Sequence, residues 1–68
     1  MSPAPPVVSG ADVIQALIKG GFVRGSHVKL RTATRVAIVP MHHELAQGTL
    51  SSILRQAGLT REEFIGLL

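Results

Sequence analysis

Between Phe22 and Pro40 the apolar residues stop recurring at helical spacing and alternate instead, and this stretch most constrains the fold. His27-Val28-Lys29-Leu30-Arg31 has period two. That pattern predicts a strand with Val28 and Leu30 toward a core and His27, Lys29 and Arg31 sharing the opposite face. Phe22-Val23-Arg24 reads as a short strand before it. Gly25-Ser26 reads as a two-residue hairpin turn, glycine supplying the positive φ of a II′ turn. Thr32-Ala33-Thr34 is a turn, and Arg35 to Val39 a third strand with Val36 and Ile38 on one side. Pro40 ends that strand, because it has no N–H for the ladder.

Helical signals flank these strands. Ser9 is placed to cap a helix with Asp12 three residues on. Val13, Ile14, Leu17 and Ile18 recur at helical spacing. Gly20-Gly21 stops that helix, since glycine accepts the left-handed conformation at C′. Met41 to Gly48 is a connection. Thr49 is expected to cap a second helix with Leu50, Ile53, Leu54 and Ala57 inward and Gly58 at its close. Thr60-Arg61-Glu62-Glu63 is a capping box opening a last helical turn, from which Phe64, Ile65 and Leu68 are expected to pack on the core. The order is α-β-β-β-α plus a short terminal helix. It predicts an α+β fold with a three-stranded antiparallel sheet, helices on one face and the other face open. Residues 1–8 read as a disordered, Pro-rich leader without the features of a secretory signal, and residues 9–68 as one domain.

Size bears on what such a domain can do. A core drawn from 68 residues rarely supplies more than ~3–5 kcal/mol unaided. There is no cysteine for a disulfide staple or a thiolate metal site. The longest apolar run, Val36 to Met41, is far below the ~20 residues of a membrane span. A dinucleotide-binding α/β fold needs more chain. A partner or a second copy would add stability by mass action. The lack of cysteine and of a targeting signal fits the cytoplasm.

Charge is one-sided. Lys19, Arg24, Lys29, Arg31 and Arg35 face a single acid, Asp12, in residues 1–40, whereas Glu44, Glu62 and Glu63 outnumber Arg55 and Arg61 in residues 41–68. From Lys19 to Arg35 there is no acid. This is the footprint of a polyanion binder, and equally of a solvated basic face. With two Phe and no Tyr or Trp, modules that stack bases on aromatic platforms are disfavoured. His27 is the sharpest catalytic candidate. Cations on its own face favour a neutral imidazole, which can serve as a general base toward a ribose 2′-hydroxyl. Lys29 and Arg31 would steady the charge that develops on the phosphate. The same spacing suits an exposed strand histidine with no task. His42 and His43 read as surface-loop residues, since adjacent histidines do not easily chelate one metal; no metal or cofactor is expected.

Several motifs in order resemble one family. They are Ser9-Gly10, Gly21-Phe22, Gly25-Ser26-His27, Val39-Pro40-Met41-His42, the run from Glu44 to Leu50, the run from Ser52 to Gly58, and Glu63-Phe64. Together they resemble HicA-type toxins, the mRNA interferases of type II toxin–antitoxin pairs. The resemblance implies a double-stranded-RNA-binding-domain-like fold and metal-independent cleavage of mRNA, with His27 as the catalytic residue. Arg24, Ser26, Lys29 and Arg31 are then the expected RNA-binding residues. A HicB-type antitoxin is the expected protein partner, covering the active surface. Only Val23 and Arg24 separate Gly21-Phe22 from Gly25-Ser26-His27, fewer residues than in the family. The first strand is therefore expected to be very short, which leaves three outcomes: a compact hairpin that still works, a strand exchanged between copies as in a swapped homodimer, or a truncated toxin of weak activity.

Overall fold

The computed structural model describes residues 7–26 and 28–68. Among them, the elements follow in the order α1 (Gly10–Lys19), β1 (Val23–Arg24), β2 (Lys29–Arg31), β3 (Val36–Ile38), α2 (Gln47–Ala57) and α3 (Arg61–Leu67). The strands form a three-stranded antiparallel sheet in the order β1-β2-β3. This is the expected α+β arrangement, consistent with a double-stranded-RNA-binding-domain-like fold. The buried side chains come from the helices and one face of the sheet, with Leu17, Leu30, Leu50, Ile53 and Phe64 among those fully enclosed. No polar or charged side chain is buried among the described residues. None of the described helices is long and apolar enough to cross a membrane.

Local signals decide both ends of α1. The Ser9 hydroxyl accepts from the Asp12 N–H, and the Asp12 carboxylate accepts from the Ser9 N–H, both at 3.0 Å. This reciprocal box satisfies two amides that the first helical turn leaves over. At the other end Gly21 takes φ +98°. Phe22 N–H then reaches the Leu17 carbonyl and Gly21 N–H the Ile18 carbonyl, a Schellman closure. The same motif seats Phe22 in the core. The buried stripe is Gly10, Val13, Ile14 and Leu17, with Ala16 beside it, and Ile18 falls outside it at 46% exposure. Gly10 is needed for space: its N–H donates to the His42 carbonyl, and a Cβ there would run into the Pro40 carbonyl oxygen. Packing begins one residue before Ser9, because Val8 is buried and its carbonyl accepts from Leu45 N–H. Residues 1–6 of the leader lie outside the described residues.

The hairpin differs from the expected one. A two-residue turn at Gly25-Ser26 would place Arg24 opposite His27, but Arg24 pairs with Leu30 and Val23 with Arg31. Gly25 N–H donates to the Lys29 carbonyl, and Gly25 is not among the glycines with positive φ. Register is set here by burial: sliding a strand by one residue would turn Leu30 away from the core. Gly25 lies beside the Arg31 side chain, whose Nε would stand 3.4 Å from a Cβ at that position. β1 is two residues long, as short as the departure from the family's spacing implies.

The other helices depart from expectation in two places. Helix α2 starts at Gln47 with Ala46 at its N-cap and no side-chain cap, so Thr49 lies inside the first turn. Leu45 and Leu50 flank this start at the N′ and N4 positions and are both buried, the spacing of a hydrophobic staple. Burying two leucines outweighs a hydroxyl cap typically worth ~1 kcal/mol. Gly58 closes α2 at φ +72°, as expected. Thr60 and Glu63 form the capping box of α3. Phe64 is fully buried, whereas Ile65 and Leu68 are 47% and 49% exposed. Leu67 takes the inward place instead, because Gly20 leaves a seat for its Cδ1.

Candidate functional site

Register builds the uncovered face of the sheet. Arg31 lies opposite Val23 on one side and Val36 on the other, and Lys29 lies opposite Ile38. Residues directly opposite in an antiparallel sheet project to the same face. Val23, Arg31 and Val36 therefore form one row, with Lys29 and Ile38 as its neighbours. All five are exposed. The opposite row, Leu30 and Ala37, is completely buried. The result is a flat strip of aliphatic side chains carrying two cations. Two exposed cations on an open sheet face make a local positive potential that attracts anions.

The expected site residues do not all meet. Lys29 and Arg31 stand side by side on the uncovered face, as alternation requires. Ser26 is exposed in the connection between β1 and β2. Arg24 pairs with Leu30, which places it in the row of the other face, at the margin of the sheet. His27 lies outside the described residues. His42 and His43 are exposed on the connection from β3 to α2, where the His42 carbonyl holds the Gly10 N–H.

Val23, Val36 and Ile38 are the members that sequence reasoning left unassigned. The third strand is apolar on both faces, so its period alone cannot choose between Val36/Ile38 and Ala37/Val39. The pairing of Leu30 with Ala37 chooses: the small alanine faces inward, with β3 packed on α2. Gln56 of α2 also reaches the edge of β3, its Oε1 accepting from Ile38 N–H at 3.0 Å. That contact occupies a ladder group that an edge strand otherwise leaves open.

A shallow depression of about 270 Å³ borders the strip, lined by Gly21, Val23, Arg31, Thr32 and Ala33. It lies between the turn after α1 and the turn between β2 and β3. Thr32 shapes the second turn: its hydroxyl oxygen accepts from the Thr34 and Arg35 N–H groups.

A family model described as the HicA toxin of bacterial toxin–antitoxin systems matches residues 10–59, which span all the described strands and both long helices. No curated protein and no solved structure matches the chain.

Proposed function

The chain belongs to the HicA toxin family, and from that premise we propose that it is a metal-independent endoribonuclease that cuts mRNA in the cytoplasm. The observation that carries this reading is the pair Lys29 and Arg31 on an uncovered sheet face, two and four residues after His27 of Gly25-Ser26-His27 in the chain. In the reaction, the neutral His27 imidazole takes the proton of a ribose 2′-hydroxyl. The 2′-oxygen attacks the adjacent phosphorus, and the bond to the 5′-oxygen breaks. That oxygen takes a proton from the imidazolium or from water, leaving a 2′,3′-cyclic phosphate and a 5′-hydroxyl end. Lys29 and Arg31 stabilise the additional negative charge on the phosphoryl oxygens during attack. Ser26 contacts the RNA backbone from the connection between β1 and β2, and Arg24 reaches it from the margin of the sheet. A HicB-type antitoxin, presenting acidic groups to the cations, would cover this face and keep RNA out.

The test is inducible expression of the wild type and of His27→Ala, with growth and total RNA followed over time. His27→Ala is expected to abolish growth arrest and to slow cleavage by purified protein about 10²–10⁴-fold, with an unchanged far-UV spectrum. RNA carrying 2′-deoxyribose at the cut site should resist. Undiminished toxicity of the variant, or cleavage of the deoxy substrate, removes this mechanism. Protein that binds RNA and never cuts it at any pH would be a binding module of the same fold.

A further inference from the structure

The depression beside the strip joins the features that one nucleotide requires. At about 270 Å³ it lies just below the ~300–1,000 Å³ of pockets for drug-sized ligands, so it suits one small unit of a polymer. Its floor and rim offer the Val23 and Ala33 side chains and the bare backbone of Gly21, around which a Cβ would meet open space. The two side chains are apolar surfaces on which a planar base can lie without an aromatic partner, and the Gly21 backbone leaves room beside them. Arg31 supplies a guanidinium, a rigid fork of donors that matches phosphate oxygens. Its side chain also runs past Gly25, so one residue borders both the depression and the start of the connection between β1 and β2.

We infer that this depression is a nucleotide subsite. It holds one ribonucleotide of the RNA chain next to the cleaved linkage, the base on Val23 and Ala33 and a phosphate on Arg31. The inference rests on the RNA-cleaving reading for its substrate class. Binding energy from a residue flanking the reacting bond can position that bond, so the subsite bears on where the chain cuts.

Two measurements on the full chain test it. In the first, the methyl resonances of Val23 and Ala33 are followed while each of the four ribonucleoside 5′-monophosphates is added, with inorganic phosphate at matched ionic strength as the control. The methyls are expected to shift with at least one nucleotide and to stay in place with phosphate. In the second, Ala33→Trp fills the depression from an exposed turn. It is expected to leave the melting temperature unchanged, to remove the nucleotide shifts, and to raise KM for RNA about tenfold or redistribute the cut sites. Methyls that stay still in a protein that cuts RNA overturn the subsite and leave the proposed activity standing. Shifts in a protein that never cuts RNA overturn the activity and leave a nucleotide site. Equal shifts with phosphate alone, or an Ala33→Trp variant with unaltered KM and cut sites, also overturn the subsite.

Discussion

Leu30, Ala37 and Val39 on one face of the sheet are fully shielded from solvent, whereas Val23, Val36 and Ile38 on the other are 47% to 60% exposed and stand among Lys29 and Arg31. The two faces share the same backbone and similar aliphatic side chains. What separates them is the layer of helices on the first. Apolar area on the helix side adds to stability in proportion to the water it excludes. The same area on the open side, interrupted by Arg31 and Lys29, adds little until something covers it. Stability and recognition are thus divided between alternate residues of the same short strands.

The sharpest way to break this division is a pair of substitutions on neighbouring strands. Leu30→Ala is expected to cost ~2–5 kcal/mol, comparable with everything a core of this size supplies, so the variant should be largely unfolded. Ile38→Thr, with the branch kept and the residue half exposed, should stay within ~0.5 kcal/mol. Urea titration followed by far-UV circular dichroism compares the two. Equal destabilisation would show that the faces are not energetically distinct.

Lys29→Ala and Arg31→Ala sharpen the other half of the comparison. Each should leave the urea midpoint nearly unchanged and weaken RNA binding. The slope of log affinity against log salt should become shallower by ~1 for each phosphate that the variant no longer neutralises. A variant that binds as tightly, with an unaltered salt slope, would remove that cation from the interface.

The smallest effect belongs to neither face. In the α3 capping box, the Glu63 carboxylate accepts from Thr60 N–H at 2.9 Å, which holds its pKa below the ordinary value of 4.5. Because the folded form binds the proton more weakly than the unfolded chain, this contribution is complete above the ordinary value. It disappears as pH falls through the lower folded-state value. Glu63→Gln should therefore flatten the acid side of a plot of melting temperature against pH and lower the neutral value slightly. An acid side as steep as that of the wild type would assign the pH dependence to other carboxylates.

Caps and stops are the most legible features of this chain. Ser9 with Asp12, Gly21, Gly58, and Thr60 with Glu63 can be read directly because each acts on amides or carbonyls within a turn of itself. The alternation from Val28 to Arg31 places Leu30 inward and Lys29 and Arg31 outward for the same reason. Thr49 misleads because a cap is a weak local preference, and the burial of Leu45 and Leu50 draws the helix start to Gln47. Ile65 and Leu68 mislead because helical spacing allows several inward faces, and the space above Gly20 selects Leu67. Of the candidate site, the two cations can be read from spacing, while the aliphatic residues between them cannot.

Taken alone, the order of residues determined the kind and succession of elements, both ends of α1, the close of α2 and the start of α3, and the charge of the open face, since these depend on neighbours within about four positions. Tertiary structure decided the pairing of Arg24 with Leu30, the outward turn of Val36 and Ile38, the need for a bare Gly10 beneath Pro40, and the depression beside Arg31. Each of these depends on which distant segments come to share one core, and a side chain's spacing along the chain carries no record of that.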